Sequence, residues 1–128
     1  MTNLEFIRNF QGAEGTTTID CPDVFSSKYS YYQVYLNANT DTNHGGNWIN
    51  WRFMKTDYTL DTSTTYDAMT FHPRTDAGFT EYRNVAQSSF ERLMITDNKG
   101  MAGIFHVYTP FESGVYSYLT TECSTADI

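Results

Sequence analysis

The sequence has no long hydrophobic run. No apolar stretch approaches the roughly 20 residues of a membrane-spanning helix. The opening MTNLEFIRNF lacks the basic start, apolar middle and small-residue cleavage site of a signal peptide. An Asn-x-Ser/Thr glycosylation site is also missing. We therefore expect no membrane association, and synthesis in a cytoplasm without a signal peptide.

Cysteine is scarce. Cys21 and Cys123 are the only two, and they lie far apart in the sequence. Two cysteines do not make a disulfide framework, so we expect free, partly buried thiols. A single bridge near the two ends of the chain is the alternative.

Metal-binding patterns are weak. The three histidines (His44, His72 and His106) have neither each other nor a cysteine at the spacing of zinc ligands. Residues 39–45 alternate oxygen-bearing side chains as a calcium loop does. However, His44 stands where that loop needs glycine, and Asn50 where it needs glutamate. We expect a plain polar loop here, no metal and no cofactor.

Basic residues are few. Eight lysines and arginines stand against fifteen acidic residues, and the net charge is −7. Such a domain repels a phosphate backbone, so we expect no nucleic-acid partner.

Catalytic patterns are missing as well. The sequence contains no Gly-x-Ser-x-Gly elbow, and the Gly45-Gly46 pair lacks the lysine of a phosphate-binding loop. Glu81 and Glu91 lie on neighbouring predicted strands, where two carboxylates facing a groove would suit glycoside hydrolysis. Carboxylates on strand faces are usually only solvated, so we expect no catalytic residues and no enzyme.

Aromatic residues are plentiful: ten Tyr, nine Phe and two Trp. Together with many threonines they favour strands, and apolar residues alternate with polar ones between turn signals along the whole chain. The predicted strands cover residues 4–10, 16–21, 29–38, 48–55, 66–72, 79–85, 90–96, 101–109 and 115–121. About eight or nine short strands without helical stretches indicate an all-β fold. We expect one antiparallel, jelly-roll-like β-sandwich domain over residues 1–128.

Two predicted strands are aromatic on both faces. We assign Tyr32, Val34 and Leu36 to the core on one strand, and Ile49, Trp51 and Phe53 on the other. The opposite faces carry the five candidate site residues, which are Tyr29, Tyr31, Tyr35, Trp48 and Arg52. If the two strands pair, these residues form one aromatic patch with an arginine. The patch is covered by the same domain, buried in a subunit interface, or left free to stack on sugar rings.

Several segments resemble one family. Residues 4–7, 23–29, 79–84, 108–111 and 115–118 are similar to virion structural proteins of marine and freshwater tailed phages, especially cyanophages. The resemblance implies a jelly-roll-like sandwich on a particle surface. Members of that group continue for several strands beyond this point. We therefore expect a sandwich that is shorter or is completed by a neighbouring subunit.

The leading functional hypothesis is a non-enzymatic capsid decoration or cement protein on the virion surface. Its expected partners are the major capsid protein or other virion subunits, and further copies of itself in a homo-oligomer. The alternative is a receptor- or carbohydrate-binding head of a tail or head fibre, with a host-surface glycan as its ligand.

Overall fold

The protein is an all-β chain in the computed structural model, which describes residues 4–38, 47–74, 78–96, 100–112 and 114–125. The described residues form seven strands, which are β1 Tyr31–Ala38, β2 Asn47–Trp51, β3 Tyr66–Arg74, β4 Gly78–Gln87, β5 Phe90–Thr96, β6 Met101–Tyr108 and β7 Tyr118–Thr125. All the strand pairs are antiparallel. This confirms the predicted fold class.

The strand pairs are nested one inside the next. β1 pairs with β6, β2 with β5, and β3 with β4, while β7 adds to the other side of β6. Each pair thus encloses the following pair in sequence, as in a jelly-roll-like sandwich. In the part of the chain that the structure describes, the strands form one sheet of three and two sheets of two, seven strands where eight or nine were expected.

The core lies between the three-stranded sheet and the β2–β5 pair. Phe105 and Val107 of β6 are almost completely buried, as is Met94 of β5. Burying one such side chain contributes about 1.5–3 kcal/mol to stability. Trp51 packs its ring 4.9 Å from that of Phe105, while its Nε1 has no hydrogen-bond partner among the described residues.

Gly103 allows the two layers to approach closely. A Cβ atom at this position would lie 2.5 Å from Sδ of the buried Met94 and 3.1 Å from the carbonyl oxygen of Glu122. Glycine within a strand often marks such a close approach. Gly103 therefore determines how tightly β5 packs on β6.

The predicted core faces are confirmed. Tyr32 is buried, and Val34, Leu36, Ile49, Trp51 and Phe53 pack against the core cluster. The hydroxyl of Tyr32 accepts a hydrogen bond from the amide of Ser26 and donates one to the Ser26 carbonyl. A buried tyrosine needs such partners, because an unpaired hydroxyl loses its hydration without replacement.

Two predicted strands are wrong. Residues 4–10 and 16–21 have alternating or β-favouring residues, but neither forms a strand. Strands need a hydrogen-bonding neighbour, and none of the described residues provides one for these segments. The last strand also begins later than predicted, at Tyr118 rather than at residue 115.

Both cysteines are free thiols, as expected, but the expected partial burial holds only for Cys21. Cys21 is partly buried, and burial, with a smaller contribution from the charge of Asp20, raises the pKa of its thiol. Cys123 is exposed on β7.

Candidate functional site

The outer face of the three-stranded sheet is the candidate functional site. On β6 the buried residues alternate with outward ones, so Ile104, His106 and Tyr108 point away from the core. The pairing register extends this alternation to both neighbours of β6. We call this surface the tyrosine face, and its principal residues are Tyr31, Tyr35, Ile104, His106, Tyr108 and Tyr118.

Three of its tyrosines form one row across the strands. Tyr31 lies opposite Tyr108, and Tyr108 lies opposite Tyr118. The rings of Tyr31 and Tyr108 are 5.1 Å apart. Tyr118, and Tyr35 further along β1, expose 62% and 68% of their surface. Directly opposed side chains on one face are neighbours, so Tyr31, Tyr108 and Tyr118 form an aromatic strip across the three strands.

His106 orders the strip. Its Nδ1 shares a 2.6 Å hydrogen bond with the hydroxyl of Tyr31, and the two rings lie nearly parallel, 14° apart, with centroids separated by 6.0 Å. The bond and the stacking restrict both side chains to one arrangement. A surface that is ordered in this way would lose less entropy on binding a partner.

An open depression of about 570 Å³ adjoins the strip. Tyr35 and Ile104 line it together with Glu122, whose carboxylate is the only fixed charge among the described outward positions of this sheet. The depression combines an aromatic ring, an aliphatic side chain and one hydrogen-bond acceptor. It suits an apolar protein side chain or a sugar ring.

Two of the five predicted site residues belong to this face. Tyr31 and Tyr35 lie on it, as the alternation of β1 predicts. Tyr29 does not, because it turns toward the core and packs edge-on against Tyr32 at 6.0 Å. Its hydroxyl donates a hydrogen bond to Glu5.

The two aromatic strands do not pair with each other, so the condition for a single patch is not met. β1 pairs with β6, and β2 pairs with β5, so Trp48 and Arg52 belong to a different sheet from Tyr31 and Tyr35. Arg52 lies just beyond the end of β2, where its Nε donates a 2.8 Å hydrogen bond to the carbonyl of Ser88. The five residues therefore do not form one patch.

Trp48 belongs to a second aromatic cluster. Its ring is 5.1 Å from that of Tyr82, and the guanidinium of Arg92 lies 4.8 Å from the Tyr82 centroid and 6.0 Å from that of Trp48. A register shift in the β2–β5 pair places Arg92 here, with a positive φ of 58° and its amide bonded to Asn50. The sequence predicted Arg52 as the partner cation, because the register shift is not visible in the alternation.

Two other patterns were considered for catalysis or metal binding, and we expect neither to have that role. Glu81 and Glu91 lie on β4 and β5, which are not paired with each other. Residues 39–45, the calcium-like loop with His44, lie outside the described residues, as does the side chain of His72. Within the described part of the chain, no group of three metal-ligating side chains comes together. The same residues contain no helix long and apolar enough to cross a membrane.

Sequence reasoning missed the contribution of β7 and of His106. Tyr118 was not grouped with Tyr31 because its place depends on two strand pairings across β6. The one available signal was the apolar character of both faces of β6, which is typical of a central strand with an additional covered surface.

Comparison with protein-family models, curated proteins and solved structures gives no match.

Proposed function

We propose that the protein is a non-enzymatic structural component of a tailed-phage virion, a decoration or cement protein that binds the capsid shell. The observation that carries the proposal is the tyrosine face, an aromatic surface that no other described part of the chain covers. The phage context comes from the resemblance of several segments to virion proteins. In this proposal the tyrosine face is buried against neighbouring virion subunits.

The composition of the face supports a protein partner. Interface centres are rich in tyrosine and poor in charge. Among the described residues, this face exposes four tyrosines and a single fixed charge, Glu122, although the whole chain carries fifteen acidic residues. The charges therefore lie elsewhere, as expected if this surface becomes desolvated.

The proposed mechanism is stabilisation by mass action. A protein that binds only the assembled shell shifts the equilibrium toward that shell. Aromatic anchors at subunit junctions supply most of the binding free energy, and repeated copies on a symmetric lattice multiply the effect. A homo-oligomer of this chain would match that symmetry.

The copy number per particle tests the role. Quantitative gel densitometry of purified virions, with the major capsid protein as internal standard, should give a number comparable to that of the capsid protein. A few dozen copies or fewer would indicate a fibre or tail appendage. Absence from virions would contradict both virion roles.

A matched pair of variants tests the surface. Tyr35→Ala with Tyr118→Ala removes two anchors, and Tyr116→Ala removes a tyrosine of 84% exposure that lies outside the sheet. Sedimentation with shells that lack the protein should show binding weakened about 30-fold or more for the double variant, because a hot-spot residue contributes about 2 kcal/mol. Unchanged binding would contradict the use of this face.

The alternative function is glycan binding by a fibre head. The depression beside Tyr35 favours it, because a tyrosine ring for stacking and the acceptor Glu122 are the elements of a sugar site. A glycan array should then give binding that Tyr35→Ala abolishes. The cement role predicts no glycan binding and no effect of Tyr35→Ala on the array.

A further inference from the structure

The segment before the first strand leaves apolar side chains in solvent. Leu4 and Phe6 expose 71% and 80% of their surface, and Ile7 is also exposed. Residues 4–10, here called the leading segment, alternate as a strand would, with Leu4, Phe6 and Phe10 on one side. No backbone hydrogen bond joins them to another described residue. The segment therefore has a strand-like sequence without a strand partner.

Glu5 ties this segment to the entrance of β1. Its carboxylate accepts hydrogen bonds from Nζ of Lys28, at 2.8 Å, and from the hydroxyl of Tyr29. The bond from Lys28, followed by the one from Tyr29, holds the pKa of Glu5 below its usual value. The contact brings the segment close to β1 without pairing it there.

No described strand pairs with the edge of β1 that faces away from β6, and this edge matches the leading segment in length. The amide of Thr109 donates a hydrogen bond to the carbonyl of Ser30, so Ser30 and every second residue after it direct their backbone groups toward β6. Tyr31, Gln33, Tyr35 and Asn37 therefore turn their backbone N–H and C=O groups toward the free side. β1 contains no charged residue, proline, glycine or register shift, the usual devices that prevent an edge strand from pairing with another chain.

We propose that the leading segment of one copy pairs with the β1 edge of a second copy as an added strand. The alternation of the added strand would match that of β1, because Leu4 and Phe6 would lie on the same inner face of the sheet as Tyr32 and Val34. The opposite side of the added strand would place Ile7 beside the tyrosine face. The inference specifies the contact within the homo-oligomer of the proposed function, and it is tested without virions.

The oligomeric state of the full chain tests this contact. Analytical ultracentrifugation over a concentration series should show an oligomer for the unmodified protein. Leu4→Asp with Phe6→Asp should raise the dissociation constant about tenfold or more, since it places charges on the buried side of the added strand. The control Tyr116→Asp alters an equally exposed aromatic residue and should leave the constant unchanged. A monomeric unmodified protein, or an oligomer insensitive to the double variant, would overturn the proposal.

A second variant addresses the edge. Gln33→Pro removes an N–H that faces the free side, so the ladder with β6 keeps its hydrogen bonds. It should also weaken association, and mixing it with the Leu4/Phe6 variant should restore hetero-oligomers, because one supplies the segment and the other the edge. If Gln33→Pro unfolds, the Leu4/Phe6 double variant is the test of the contact. An oligomer formed by direct pairing of two β1 edges would persist in the Leu4/Phe6 double variant and would contradict the inference.

Discussion

The two faces of the β1–β6–β7 sheet use the same residue type in opposite ways. On the inner face Tyr32 is 6% exposed and packs among Phe105 and Val107. On the outer face Tyr35 and Tyr118 lie mostly in solvent. Packing of the core explains the aromatic residues of the inner face, but it does not explain those of the outer face. The comparison shows that a high aromatic content does not by itself measure the size of the core.

The hydroxyl groups show the same contrast. That of Tyr32 is satisfied by the backbone of Ser26, whereas that of Tyr31 bonds to the side chain of His106. The backbone bonds attach Tyr32 to the fold, while the bond between Tyr31 and His106 orders two side chains of the outer face. If the outer face has the proposed binding role, substitutions on the inner face should change stability and substitutions on the outer face should change association.

The largest effect is expected at the centre of the inner face. Phe105→Ala removes a ring that is 1% exposed and packs on Trp51. The loss of burial and the resulting cavity should lower the free energy of unfolding by about 3–5 kcal/mol. Urea denaturation followed by tryptophan fluorescence measures this loss. A loss below about 1 kcal/mol would mean that this face is not the core of the fold.

A smaller loss is expected from overpacking the same layer. Gly103→Ala places a methyl group against Met94 and the carbonyl of Glu122. Because Met94 is itself buried, we expect a destabilisation of about 1–3 kcal/mol. Combining it with Met94→Ala, which vacates the space, should give less than the sum of the two separate losses. Additive effects in this double-mutant cycle would contradict the contact.

The buried hydroxyl should have a measurable but modest effect. Tyr32→Phe leaves the amide and carbonyl of Ser26 without their partner. We expect a loss of about 0.5–1.5 kcal/mol in unfolding free energy. Tyr31→Phe is the matched control, because its hydroxyl lies on the exposed face. An equal loss for both would remove the distinction between the two faces.

The smallest effect on stability is expected on the outer face. Tyr118→Ala truncates a ring that is 62% exposed, so the unfolding free energy should change by about 0.5 kcal/mol or less. Under the proposed cement role, the same variant should weaken binding to shells, as measured by sedimentation. A large loss of stability with unchanged attachment would show that this face also belongs to the core.

Local alternation predicted much of the fold. It assigned Tyr32, Val34 and Leu36 to the core and Tyr31 and Tyr35 to the opposite face, because side chains on a strand point to alternate sides. The all-β class followed from the same pattern. What alternation does not contain is the choice of neighbouring strand, which depends on contacts between distant parts of the chain.

The errors in the candidate site have this origin. Trp48 and Arg52 join Tyr31 in one patch only if β1 and β2 pair, but β1 bonds to β6 instead. Tyr29 lies before the first residue of β1 and no longer follows the alternation of that strand. Residues 4–10 have the pattern of a strand, yet a pattern forms a strand only where a neighbouring edge is available.

The nesting of the strand pairs also suggests an order of folding. β3 and β4 are adjacent in sequence, whereas the β1–β6 ladder pairs Tyr31 with Tyr108 and so encloses all of β2 to β5. Closing a long loop is entropically unfavourable and slow, so we expect the inner hairpin to form first and β1 to join last. Pulsed hydrogen exchange during refolding should therefore protect the amides of β4 before those of β1. In that order of folding, both edges of β1 are unpaired until the last step. The concentration of other copies before that step would then determine how many subunits are joined through the proposed contact with β1.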